Sequence, residues 1–407
     1  MKKIGILTSG GDCQGLNAAI RGVAKGLYEE IDDVEIYGIQ NGYAGLIHGD
    51  YKKMNQSDFS GILTIGGTIL GTSRQPFKMM RVIEDENSID KVAAMKDTYK
   101  KIGLDCLVIL GGNGTHKTAN LLSEEGLNVV TMPKTIDNDL CVTDHTPGYG
   151  SAAKYVASTL LEIGHDTSIY PIKSVTIVEI MGRDAGWLTG ASVLARNKYN
   201  FAPHLIYLPE VPFVEEEFIE DVKAAMEKYN NIVIAVSEGI KDANGKYVSA
   251  TTAVEDTFGH SQLSGTGKCL EYIIKQNIQV KVRSVEINIL QRSAAHMSSI
   301  TDIGEAFRLG RHAINISIEG KTGVMVTAIR KANDPYCVTM SDTPVQNVAG
   351  LVKHVPREWI NARGNDVTQE FIDYAYPLIL GEPVVKYQRG IPDYLDISHL
   401  FPNMNDK

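Results

Sequence analysis

Short apolar runs of strand length alternate along the chain with stretches whose apolar positions recur at helical spacing. The runs at 3–8, 105–110, 128–132, 174–180, 205–208, 232–236, 284–290 and 323–329 predict strands, and 15–27, 116–123, 185–195, 214–228 and 303–317 predict helices. Strands alternating with helices predict an α/β fold of two lobes, each a mainly parallel sheet flanked by helices. A first crossover is expected near 147–151. The first lobe is expected to span 1–148 and to be completed by 291–340, the second to span 149–290, and 341–407 to form a less regular C-terminal extension.

Composition narrows the classes. No window of eighteen apolar residues occurs, so no membrane helix is expected. The first apolar run stops at Thr8-Ser9 and meets a glycine turn, which reads as a strand and not as a signal peptide. A net charge of −9 gives no basic footprint for nucleic acid, so any phosphate site must be built locally. Five cysteines lie far apart without a CxxC pair, which indicates neither a zinc site nor a disulfide framework and fits a reducing cytoplasm.

Four segments place charged or glycine-rich turns at strand ends, where ligands of parallel sheets bind. Thr8 to Asp12 puts two glycines directly after a strand, so backbone can approach a bulky anion before a helix N-terminus. A ligand-free strand–helix turn explains that segment equally well when it stands alone. Leu110 to Thr115 repeats the pattern, and two such loops favour a polyphosphate ligand. It is neither a Walker loop nor a G-x-G-x-x-G fingerprint. Lys134-Thr135-Ile136-Asp137-Asn138-Asp139 sets two carboxylates beside a lysine and a threonine. Phosphoryl transfer to a hydroxyl needs a carboxylate to accept the proton and cations to spread the phosphoryl charge. The alternative is an Asp-Asn-Asp turn that caps the next helix. Arg183, at a strand end before a helix, suits bidentate phosphate binding, or else a surface pair with Glu179 or Asp184. Arg283 and Arg292 are expected at opposite ends of one strand, too far apart to grip one phosphate.

The motifs SGGD (9–12), NGYAGL (41–46), GTSR (71–74), GGNGT (111–115), PKTIDND (133–139), MGRDAGW (181–187), SEG (237–239) and LQR (290–292) together resemble the phosphofructokinases, in the order that family shows. PKTIDND followed by MGR is the specific part; GGNGT also resembles a motif of NAD kinases and lipid kinases. The stretches 143–155 and 175–196 look like the longer branch that includes pyrophosphate-dependent members. The resemblance implies two Rossmann-like lobes, the first binding the donor and the second the sugar phosphate. It implies that Asp137 is the general base toward the 1-hydroxyl of fructose 6-phosphate, with Thr135, Asp139 and Lys134 beside it. Gly11, Tyr43, Arg74, Gly112, Asn113, Gly114 and Thr115 match the donor site, and Met181, Gly182, Arg183, Glu238 and Arg292 the sugar-phosphate site. Arg283 matches an arginine supplied by a neighbouring subunit, and Lys173 lies one position away from a second such residue. Magnesium is the implied cofactor, with Asp139 and Asn113 at the metal positions. A cytoplasmic, allosteric glycolytic enzyme, homodimeric or homotetrameric, is implied as well.

Asn113 stands where the ATP-dependent pattern has an acid, and Ile289 where the family has a phosphate-binding histidine. Both departures motivate a remote alternative, a non-catalytic phosphosugar-binding subunit. Two positions bear on the donor. Pyrophosphate users carry Asp where this chain has Gly114, and its absence leaves room for the α-phosphate of ATP. Lys134 is the pyrophosphate-type residue, although some ATP users pair it with Gly at the first position. The reading favoured is ATP, with pyrophosphate as the alternative donor.

Overall fold

The computed structural model describes residues 1–82, 89–249 and 265–394. Residues 395–407 of the expected C-terminal extension lie outside the described residues. The strands are β1 (Lys2–Thr8), β2 (Val34–Ile39), β3 (Tyr51–Met54), β4 (Cys106–Gly111), β5 (Val129–Pro133), β6 (Ser174–Ile180), β7 (Leu205–Tyr207), β8 (Asn231–Ser237), β9 (Lys281–Glu286), β10 (Val324–Asn333) and β11 (Tyr336–Pro344), with a short β12–β13 pair at Tyr387–Gln388 and Ile391–Pro392. The helices are α1 (Leu16–Glu30), α2 (Tyr43–His48), α3 (Lys91–Ile102), α4 (Asn113–Glu124), α5 (Tyr149–Ser168), α6 (Trp187–Ala191), α7 (Glu215–Lys228), α8 (Thr266–Asn277), α9 (Leu290–Ser293), α10 (Ile300–Ile318) and α11 (Gln369–Ala375).

One sheet has the order β11-β10-β5-β4-β1-β2-β3, the other β7-β8-β6-β9. Their interiors are parallel, and the first sheet carries antiparallel edge pairs, β10 with β11 and β2 with β3. β4 and β5 are buried along their whole length, which is why they read as unbroken apolar runs and not as alternation. The expected α/β architecture of two mainly parallel sheets flanked by helices is therefore present. β1 lies between β2 and β4, so the strand order reverses there and opens a crevice at the carboxyl ends of β1 and β4. In the second sheet β6 lies between β8 and β9.

The structure departs from the expected elements in two places. The apolar run 284–290 is not one strand: β9 ends at Glu286, Asn288 takes a left-handed φ of 48°, and Arg292 sits in α9. Arg283 and Arg292 therefore do not share a strand. The chain passes from the first sheet to the second close to the expected crossover at 147–151: the twenty-residue helix α5 begins at Tyr149, just after Gly148 at φ 101°, and joins β5 to β6. The first sheet also continues beyond residue 340 through β11, and the chain after it joins the main core through Val355, Ile360, Phe371, Tyr374 and Leu378.

Candidate active site

The carboxyl ends of β1, β4 and β5 meet at Gly10–Gly11. Gly10 has φ 93°. Lys134, immediately after β5, donates from Nζ to the carbonyl of Gly11. A Cβ on Gly11 would stand 2.9 Å from Nη1 of Arg292 and 3.6 Å from Nη2 of Arg74, so the turn lies between two guanidinium groups that a side chain here would displace. Neither arginine forms an ion pair among the described residues. Burial lowers the Lys134 pKa, Asp12 and Asp137 are among the groups that oppose the shift, and Arg74 adds to it. Three cations thus surround one bare backbone turn, and α4 presents its first amides beside them from Asn113 onward. That combination suits a polyanion. Arg292, which the sequence grouped with the sugar phosphate, lies on this side, against Gly11 and Asp12.

Two other donor-side residues stand differently from the sequence reading. Tyr43 is 1% exposed and its hydroxyl donates to the carbonyl of Thr115, 2.9 Å away, so it braces the loop from behind. Asn113 turns both ends of its amide to the chain after β11, donating to Leu351 O at 2.7 Å and accepting from Gly350 N at 2.6 Å. Gly114 is exposed, with nothing within 4 Å of an added Cβ.

The loop after β5 is held by Asn138, which is fully buried at φ 55°. Its side chain accepts from Thr146 N at 3.1 Å and donates to the Tyr374 hydroxyl at 2.7 Å. Asp137 N donates to Thr135 Oγ1 at 3.1 Å. Neither aspartate caps a helix; Asp302 takes that role for α5, accepting from Gly148 N at 2.9 Å and Ser151 N at 3.2 Å. Burial raises the Asp137 pKa. A hydrogen bond with Thr135 and the charges of Lys134 and Arg183 pull it back, while Asp184 adds to the rise. Asp139 is raised to about 7, by burial first and then by Asp137. These side chains perturb one another across the gap between the sheets, so the loop after β5 faces the loop after β6.

On that facing side Gly182 N donates to Glu238 Oε1 at 3.3 Å, and the Ser237 hydroxyl donates to Gly182 O. Glu238 is raised to about 7 by burial and by Asp137. Arg183 carries a buried Nε with no partner. Its expected alternatives are engaged elsewhere, Glu179 accepting from Gly267 N at 2.8 Å and Asp184 standing 3.8 Å from Lys241. A buried guanidinium nitrogen left unsatisfied is costly unless an anion meets it. Met181 lies in the same turn, half-buried.

Arg283 does not join this group within its own chain: it pairs with Asp166 at 3.0 Å and donates to Thr176 Oγ1 at 3.1 Å. Lys173 donates to Met226 O at 3.3 Å, and Ile289 is 54% exposed in the turn after β9. The sequence reading missed Asp12 and Asp184, although both lie inside motifs it quoted. It also missed Lys353, whose segment carries no motif at all.

The family model described as Phosphofructokinase matches residues 3–317. An ATP-dependent 6-phosphofructokinase of Spirochaeta thermophila is 38% identical over 358 residues, 87% of this chain and 93% of that protein. A pyrophosphate–fructose 6-phosphate 1-phosphotransferase of Halomonas elongata is 30% identical over 393 residues, 94% of this chain and 93% of that protein. The crystal structure of a pyrophosphate-dependent phosphofructokinase from Marinobacter aquaeolei superposes with a TM-score of 0.84 at 27% identity, covering 97% of this chain and 95% of that one.

Proposed function

The chain belongs to the phosphofructokinase family, and from that premise we propose that it transfers the γ-phosphoryl group of ATP to the 1-hydroxyl of fructose 6-phosphate. The coarser statement, that it is a phosphotransferase acting on fructose 6-phosphate with either ATP or pyrophosphate, follows from its relatives of both kinds.

The observation that carries the reading is the position of Asp137, flanked by Lys134 on the donor side and Arg183 on the other, with its ionisation pushed up by burial. A carboxylate with a raised pKa is a better proton acceptor for a sugar hydroxyl than an exposed one. In this reading the first sheet's loops hold the donor: Lys134, Arg74 and Arg292 offset its charge, and the amides of Gly11 and 113–115 line its phosphates. The second sheet's loops hold the sugar: Arg183 meets the 6-phosphate with its guanidinium, while Glu238 and the backbone of Met181–Gly182 orient the ring. Asp137 takes the 1-hydroxyl proton as the oxygen attacks phosphorus and the donor's bridging oxygen leaves, with no covalent enzyme intermediate.

The residues fit magnesium in part. The charge of Asp137 adds to the cost of ionising Asp139, which a cation would relieve, and magnesium takes one or two carboxylates plus substrate phosphates. Among the described residues no group of three or more acidic, His or Cys side chains stands ready to hold a metal alone. Asp139 would hold the ion, the donor's phosphates would complete its shell, and the ion would supply charge neutralisation. Asn113 is not part of that set, because its amide is bonded to 350–351.

ATP is favoured by the open space around Gly114, and pyrophosphate by Lys134. A coupled assay offering each donor separately with fructose 6-phosphate tests the choice. Turnover with ATP is expected; turnover with pyrophosphate alone would overturn it.

A further inference from the structure

Residues 350–355 carry none of the sequence motifs, yet they touch the donor loop, the catalytic loop and the sugar loop in turn. Asn113, first residue of α4, is bonded through both amide atoms to Gly350 and Leu351. Lys353 donates its backbone N–H to Asp139 O at 2.8 Å, and its own carbonyl accepts from Trp187 Nε1 at 2.9 Å. Its ammonium lies 5.0 Å from the centroid of the Trp187 ring and donates to Asn138 Oδ1 at 3.3 Å, Thr143 O at 3.2 Å and Asp144 O at 2.7 Å. Val355 N then donates to Glu210 Oε1 at 2.9 Å, the oxygen that also accepts from Gly186 N at 2.9 Å. Tyr374 bonds the same catalytic loop independently of the segment: its hydroxyl donates to Asp144 O at 2.6 Å and accepts from Asn138 at 2.7 Å.

We propose that residues 350–355 are a strap that positions the catalytic loop against the donor loop, with Lys353 as the positioning residue and Asn113 as the latch. The inference rests on the reading of Asp137 as the base. Asn138 holds a left-handed turn between the two aspartates, and such a turn persists only when its surroundings over-determine it. Lys353 is one of the groups that do so, since its single ammonium ties Asn138 to both ends of the 143–144 backbone. Lys353 touches no reacting atom in this scheme; it fixes where Asp137 points. The neutral amide at 113, where an acid is expected for a metal, has a positive role here: its NH2 donates to a carbonyl that a carboxylate would repel.

The test measures kcat and KM for Lys353→Met, Lys353→Arg, Asn113→Ala and the Lys353→Met/Asn113→Ala double variant, together with Tm. A misplaced base lowers kcat by about 100-fold for Lys353→Met while KM for fructose 6-phosphate stays within about threefold. Lys353→Arg, which keeps a buried cation, is expected to recover at least about tenfold of that loss. Asn113→Ala is expected to lower kcat by about tenfold with Tm unchanged, and the double variant to lose clearly less than the product of the single losses, because the two residues act through one strap. Unchanged kcat with only a lower Tm, no recovery in Lys353→Arg, or strictly multiplicative losses would each overturn the strap. Should Lys353→Met fail to fold, kcat of Asn113→Ala against its Tm decides alone. Asp137→Ser measured alongside separates the two ideas: near-normal turnover there defeats the base, whereas an inactive Asp137→Ser beside fully active strap variants defeats only the strap.

Discussion

Placing a carboxylate at residue 114 is the sharpest perturbation of donor choice. Gly114 is the second residue of α4, exposed, with nothing within 4 Å of an added Cβ and no left-handed φ, so Gly114→Asp costs no strain. Replacing glycine within a helix and adding an acid to its first turn should together stabilise the fold by about 0.5–1.5 kcal/mol. The effect on the donor has the opposite sign. A unit charge about 5 Å from the α-phosphate of ATP repels it by about 0.8 kcal/mol if fully water-screened and by about 3 kcal/mol at an effective dielectric of about 20. Exposure of the site puts the answer between these limits, which corresponds to roughly a 4- to 160-fold loss in kcat/KM for ATP. Pyrophosphate has no third phosphate to meet the new charge, so its loss should stay below about fivefold. The assay is kcat/KM for each donor at saturating fructose 6-phosphate, on wild type and variant, with Tm recorded in parallel. Equal losses with both donors, at unchanged or raised Tm, would refute the idea that residue 114 faces the α-phosphate.

Other outcomes follow from the same geometry. Removing the Arg183 guanidinium in Arg183→Ala should raise KM for fructose 6-phosphate by about 100-fold, as for the loss of a charge-assisted phosphate contact, and leave the donor KM within about threefold; steady-state kinetics varying one substrate at a time separates the two. Because burial raises Asp137 and holds Asp139 and Glu238 at about 7, the base is protonated as pH falls, so kcat/KM should decline on the acid side with an apparent pKa well above the ordinary carboxylate range. Asp184 contributes to that rise, so Asp184→Asn should shift the acid limb to lower pH; a shift to higher pH would contradict the charge arrangement.

The parts of the site that were legible in the sequence are those made locally. Strand, turn and charge stand together within a few residues at 8–12, 110–115, 133–139 and 180–184, so the strand-end loops and the Asp137 and Arg183 positions could be read directly. The parts that were not legible are made by distant chain. Lys353 reaches Asn138 across 215 residues and Tyr374 reaches it across 236, and no local pattern marks either. Tyr43 lies in a family motif, but only its buried contact with Thr115 shows that it supports the loop from behind. The run 284–290 misled because Val285, Ile289 and Leu290 are apolar yet exposed, so their pattern does not report a buried strand. Helix α5 was hidden by the glycines and proline at its start and by a buried face of small residues, Ala152, Ala153 and Gly164, which weaken helical periodicity.

The most direct measurement is single-turnover and steady-state phosphorylation of fructose 6-phosphate by Asp137→Ser, with the sugar's Kd measured separately by calorimetry. Loss of a general base should lower kcat by about 10²- to 10⁴-fold with either donor while the sugar Kd stays within about threefold. A variant that binds fructose 6-phosphate normally and still turns over near the wild-type rate would contradict the assignment of the base, and with it the site described between the two sheets.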